Sequence, residues 1–317
     1  MLTDFMRFMS FIGSSGLYTP VLVLVFWCVN PRIGARAAVV LALSGALNTV
    51  LKLAWHAPRP YWTDPTVGAH ESRSSFGMPS GHAQGSAVAW GLLGIHARRR
   101  WVWAVVGVVV LLVGISRIYL GVHSIGQVLA GWVIGAALLA AMLLLEPVVV
   151  PWWTRRGLLT QLLLSAVVTA AVLVPAALVV HSMHAWHMPA TWARAVETGG
   201  GSVRPVTLGQ TAAATGTLFG VLAGLSWLAR WGWHDAAGSL ARRLARIPVG
   251  LSGASAIWVV GLFAGNRTVV VFVIYALLAL WVMAGAPMLF VRLGLARRER
   301  GSAPPGSVEA GDARAVT

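Results

Sequence analysis

The run WVWAVVGVVVLLVGISRIYLGVHSIGQVLAGWVIGAALLAAMLLL, residues 101–145, decides how the chain must be read. It holds one formal charge, Arg117, and one histidine, His123, between two apolar stretches each suited to a membrane helix. In a bilayer the backbone must satisfy its own hydrogen bonds, so these stretches become helices. The polar segment Ser116–Gln127 is then left at one membrane face. Ionisable groups at such a place are costly, which makes them functional candidates.

Outward from this run the same pattern recurs. With 57% hydrophobic residues, 10% charged residues and a mean hydropathy of +0.76, a water-soluble fold is excluded. Apolar runs at 10–29, 33–54, 82–96, 101–118, 124–145, 158–180, 206–228, 249–265 and 269–291 predict an all-α, polytopic membrane bundle of about nine transmembrane helices. The third and eighth runs are short for a bilayer, and the third is expected to borrow residues from the polar segment before it. The start, MLTDFMRFMSF, lacks a small-residue cleavage site, so the first helix is expected to remain in the mature protein. Residues 1–145 are expected to form the unit that carries the motifs of 52–127, 146–300 additional transmembrane helices, and 301–317 a disordered tail.

The net charge of +15 comes from 24 bases against 9 acids, grouped between apolar runs as loops facing anionic lipid would have them. Nucleic acid is not an expected partner; membrane lipid is. Sixteen of the bases, among them Arg98–Arg100, Arg242, Arg243 and Arg246, fall on alternate loops and the C-terminal segment. The positive-inside rule then puts the N-terminus outside and the C-terminus in the cytoplasm, with a bacterial inner membrane as the expected location. Many of the sixteen tryptophans lie at helix ends, where an aromatic belt would sit. A single cysteine, Cys28, excludes an intramolecular disulfide and a cysteine-based zinc site.

Three polar clusters are expected on the less basic face. The first runs from Lys52 through His56 to Arg59-Pro-Tyr-Trp62, the second is Gly77-Met-Pro-Ser-Gly-His82, and the third Ser116-Arg-Ile-Tyr-Leu-Gly-Val-His123-Ser-Ile-Gly-Gln127. Lys52, the chain's one lysine, joins Arg59 and Arg117 in a set of cations suited to a tetrahedral oxyanion. Ser80 and Gly81 open a helix, adding a hydroxyl and free amides for an anion. His82 and His123 supply two nitrogen bases, the pair that phosphoryl transfer through a covalent intermediate needs. No metal or cofactor is called for, because Lys and Arg carry the charge stabilisation. Taken singly, each cluster reads as an interface anchor, a helix start or an interhelical hydrogen bond; their order and shared face favour a site.

The pattern K-x6-RP, PSGH, SR-x5-H resembles the type-2 phosphatidic acid phosphatase superfamily, which includes vanadium haloperoxidases and glucose-6-phosphatase, over roughly residues 33–145. The resemblance implies a membrane phosphatase in which His123 is the nucleophile, His82 the general acid, and Lys52, Arg59, Ser80, Gly81 and Arg117 bind phosphate. The superfamily's third motif usually places Asp four residues after the nucleophile. Here Gln127 stands there, as in the glucose-6-phosphatase branch, and its amide oxygen is expected to orient the His123 ring from one helical turn away. The expected substrate is a phosphorylated lipid, phosphatidic acid or an isoprenyl pyrophosphate. A sugar phosphate, a lipid phosphotransferase reaction and a non-catalytic transporter or scaffold are the alternatives.

Elsewhere, His181, His184 and His187 read as an interfacial loop, with a lid over the site as the second reading. Tyr61 and Trp62 read as belt anchors or as a stacking surface for a headgroup. Thr198–Gly201 reads as a flexible outer loop, and His70, Glu71 and Arg73 as polar loop residues able to shape specificity.

Overall fold

A computed structural model describes residues 1–64, 66–68, 70–71, 73–97, 99–198 and 204–299. The expected tail, 301–317, and the glycine run 199–201 lie outside the described residues. The chain is almost wholly helical: α1 (Leu2–Ile12), α2 (Ser15–Leu24, continued by a π-helical turn to Val29), α3 (Pro31–Trp55), α4 (Pro60–Thr63), α5 (Gly81–Ala97), α6 (Arg100–Tyr119), α7 (Ile125–Thr154), α8 (Leu158–Ser182), α9 (Ala190–Thr198), α10 (Gly209–Trp231), α11 (Leu240–Ala264), α12 (Thr268–Leu280) and, after a second π turn, α13 (Ala286–Arg292). Among the described residues the one sheet is a two-residue pairing of His234–Asp235 with Arg297–Arg298.

The nine apolar runs lie largely on helix, the first of them broken at Gly13 and Ser14 between α1 and α2. Among the described residues seven helices are long and apolar enough to cross a membrane, or eight when α1 and the bent α2, 45° apart, count as one span. The third run, α5, has only 17 residues, about 26 Å at 1.5 Å per residue. It starts at Gly81 and so borrows a single residue from the polar segment before it. The eighth run is longer than its apolar residues suggest. Ser239 caps its start by accepting the Arg242 amide, so Arg242, Arg243 and Arg246 are helical and not in a loop. Arg246 is moreover buried, donating to the carbonyls of Trp27, Ala236, Ala237 and Leu295. It ties the end of the bundle remote from the motifs together and does not act as an orienting surface charge.

Close helix packing relies on small residues, as expected where lipid removes the hydrophobic drive for association. On α7, a Cβ at Gly131 would lie 2.6 Å from the Ser80 carbonyl oxygen and one at Gly135 2.5 Å from that of Gln84. This approach sets the second motif against the third. On α10, Gly216 and Gly220 meet the carbonyls of Phe272 and Ala276 on α12 in the same way. Between them stands α3, which packs on α5 and also on α8 and α10. A buried amide chain locks α3 to α5: Asn48 donates to Gln84 Oε1 at 2.8 Å, and Gln84 donates to the Ser44 carbonyl at 2.8 Å.

Gly131→Val should therefore lower the midpoint of thermal unfolding in detergent and reduce activity, because it pushes α5 away from α7 at a cost of about 1–3 kcal/mol. Gly107→Ala, at a position with nothing within 4 Å, should leave both unchanged.

Candidate active site

The three polar clusters converge at one end of α3, α5, α6 and α7. Lys52 sits in the last turn of α3, and its Nζ donates to the Phe76 carbonyl at 2.7 Å. His56 ends that helix in a left-handed conformation, φ 50°, which turns the chain back so that Arg59 re-enters the site. Arg59 is buried and fully engaged. Its Nε donates to the Ser75 carbonyl at 2.7 Å, Nη2 to the Phe76 carbonyl at 3.2 Å, and Nη1 to the Val122 carbonyl at 3.0 Å. Arg117, in the last turn of α6 and wholly buried, donates through Nη1 to Ser10 Oγ and through Nη2 to Glu71 Oε2. Ser80 caps α5: its Oγ accepts the Ala83 amide, while its own amide donates to the Gln127 carbonyl at 2.9 Å. Gly81 leaves room for Asn48 Oδ1, which a Cβ would meet at 3.1 Å. His82, on the first turn of α5, is within Coulombic reach of Arg117, Arg73, Lys52 and Arg59.

His123 is held from both ring nitrogens. Gln127 donates its amide N–H to the Pro58 carbonyl at 2.8 Å, which fixes its amide orientation and points Oε1 at His123 Nδ1, 3.0 Å away. Nδ1 therefore carries the proton, and Nε2 keeps its lone pair, facing Arg59 Nη1 at 3.2 Å. Burial, reinforced by the charges of Arg59, Lys52 and Arg117, holds the His123 imidazolium pKa well below its usual value. The ring is neutral at physiological pH, with Nε2 turned to the Arg59 guanidinium.

Several neighbours of the site carry no motif. Asn48 and Gln84 stand behind it, their only sequence signal being polar amides one turn from Lys52 and from Ser80. The roof comes from the chain after α8: Trp186 packs on Phe76 and Trp192 on Trp62, at 5.8 and 6.2 Å between ring centroids. Tyr61 and Trp62 are consequently buried in this aromatic layer with Val196, neither belt anchors nor an open stacking surface. His181, His184 and His187 are exposed: the rings of His181 and His184 meet at a tilt, 6.1 Å between centroids, and Nδ1 of His184 and of His187 bonds a nearby main-chain carbonyl. Among the described residues no three of His, Cys, Asp and Glu converge as metal ligands would.

Residues 34–150 match the PAP2 superfamily, and residues 212–298 match the PAP2 superfamily phosphatase transmembrane extension. Over 43% of the chain and 71% of the relative, the sequence is 31% identical to phosphatidylglycerophosphatase B of Bacillus subtilis. It is 29% identical to the undecaprenyl-diphosphatase of Sulfolobus acidocaldarius, over 43% of the chain and 66% of that protein. With mouse glucose-6-phosphatase 2 it shares 26% identity over 43% of the chain and 47% of that protein. The chain belongs to the PAP2 superfamily and is a membrane phosphatase.

The Gln127 geometry sets an expectation for its replacement. Gln127→Leu should lower kcat about ten- to a hundredfold with KM changed less than twofold, since the lost contact matters most as the imidazole becomes cationic. Gln127→Glu should also be impaired, because a carboxylate oxygen would face the Pro58 carbonyl where an N–H now donates. Steady-state kinetics on both variants check this.

Proposed function

We propose that this phosphatase hydrolyses a phosphomonoester or diphosphate, that of a lipid such as phosphatidic acid or an isoprenyl pyrophosphate, through a metal-independent phosphohistidine. The observation that carries the reading is the chain Pro58–Gln127–His123–Arg59, which presents a neutral imidazole lone pair to a cation at 3.2 Å. Lys52, Arg59 and Arg117, with Ser80 and Gly81 at the start of α5, bind the three equatorial oxygens of the phosphoryl group. His123 Nε2 attacks phosphorus in line. The bond from phosphorus to the leaving oxygen breaks, and the His82 ring N–H gives that oxygen its proton. Water then attacks phosphorus, yielding its proton to His82 as the P–N bond breaks and inorganic phosphate forms.

The site's place at the ends of membrane helices favours a lipid, whose headgroups meet it at high local concentration. The relatives named for phosphatidylglycerophosphate and undecaprenyl diphosphate support that preference. A sugar phosphate is the second reading, favoured by Gln127 and the SRIYLGVHSIGQ segment. Residues 1–145 form the phosphatase unit in this proposal, and the helices of 146–300 buttress α3 and supply its roof.

Turnover should survive EDTA, and vanadate should inhibit it as a mimic of the five-coordinate phosphoryl group. His123→Ala should form no phosphoenzyme from labelled substrate. Recovery of EDTA-treated protein by magnesium, or phosphoenzyme in His123→Ala, would contradict the mechanism.

The concentration of bases on the face opposite the motifs supports a site on the outer face of a bacterial inner membrane, with the C-terminus in the cytoplasm. A cysteine in place of the exposed Thr66, between the first two motifs, should react with a membrane-impermeant thiol reagent in intact cells. Reaction only after permeabilisation reverses the orientation.

A further inference from the structure

The loop between the first two motifs brings one acid to the cations. Glu71 Oε2 accepts from Arg117 Nη2 at 3.0 Å and from Arg73 Nη2 at 2.7 Å. One carboxylate oxygen thus lies between two guanidinium groups, the place an oxygen of a bound phosphoryl group would take on Arg117. The contrast with the other cations is chemical. Lys52 and Arg59 are met by neutral main-chain carbonyls and the hydroxyl of Ser75, whereas Arg117 is met by a full negative charge. Among the described residues Glu71 is the one acid in contact with any of the three. Burial pushes the Glu71 carboxyl up, but the charges and hydrogen bonds of Arg117 and Arg73 outweigh it and hold the group below the usual carboxylate range. It is therefore an anion at the pH of the reaction.

The site also faces a chemical difficulty. Its product, inorganic phosphate, offers the cations the same oxygens as the substrate, so contacts that bind one retain the other. An anion tethered to the loop competes with both at an effective concentration set by the chain. Arg73 gives that anion a second partner when Arg117 is taken: its side chain is about two-fifths exposed, while that of Arg117 is wholly buried.

We propose that Glu71 is a built-in competitor for Arg117, displaced towards Arg73 when the substrate phosphoryl group binds and returning to Arg117 to expel inorganic phosphate. This rests on the reading of Arg117 as a phosphate binder. Glu71 is then a residue that acts on binding through Arg117, not a participant in bond making.

The test is inhibition of the full-length protein in mixed micelles by inorganic phosphate and by vanadate. Glu71→Gln, which keeps the shape and removes the charge, should lower both inhibition constants about tenfold and lower KM with them, the worth of one charge-assisted hydrogen bond. Glu71→Asp keeps the charge but is one methylene short of Arg117, and it should shift the constants in the same direction. Arg73→Gln removes the alternative partner and should raise them. Were Glu71→Gln to leave the constants unchanged or raise them, Glu71 would be a support for Arg117 and the proposal would fall. Tightening in Glu71→Gln with wild-type constants in Glu71→Asp would make the effect one of field alone, and competition by contact would fall too. A wild-type protein indifferent to both anions would instead sink the phosphate-site assignment, and this proposal with it.

Discussion

Three cations buried at the ends of apolar helices have to be met by something, since an uncompensated charge in such surroundings costs several kcal/mol. Much of the architecture around the site follows from that demand. The segment 73–77 runs through the cluster, and its carbonyls at Ser75 and Phe76 accept from Lys52 and Arg59. Val122 turns its own carbonyl inward for the same reason, which brings His123 beside Arg59. Arg117 takes a hydroxyl from α1 and a carboxylate from the loop. Helices that share no covalent neighbourhood are thus held in register by the hydrogen bonds that guanidinium and ammonium groups require.

Gln127 extends this logic to His123. A carboxylate at its position could accept from the His123 ring but could not donate to Pro58. The amide does both, joining the first motif to the third through one side chain and fixing the tautomer without adding a negative charge beside Arg59. The substitution of Gln for the superfamily's usual Asp therefore reads as a different way of fixing the ring, coupled to the path of the backbone at Pro58.

What could be read beforehand was what depends on residue type. Apolar run lengths marked the helices, and Lys52, Arg59, His82, Arg117 and His123 announced themselves as charges and rings where lipid tolerates neither. Less legible was everything that depends on which atoms meet. Glu71 looked like one polar residue in a polar loop, and only the fold puts its carboxylate on Arg117. Trp62 and Trp192 carry the same aromatic signal as belt residues, yet they pack on each other because α9 doubles back over α4. Arg246 looked like a loop charge; two of its partners, Trp27 and Leu295, lie 219 and 49 residues away, beyond the reach of any local pattern.

The double duty of α3 imposes an order on assembly. One of its faces carries Asn48 and Lys52 towards α5 and the motifs, while another is covered by α10, which follows more than 150 residues later. As the chain emerges from the ribosome, α3 to α7 can lock through Ser44, Asn48 and Gln84 while that second face still touches lipid. The aromatic roof closes over the cations only after α8 has crossed, and α10 docks later still. A newly made chain can therefore hold Lys52, Arg59 and Arg117 together before the aromatic roof covers them, and lipid headgroups can reach those cations at that stage.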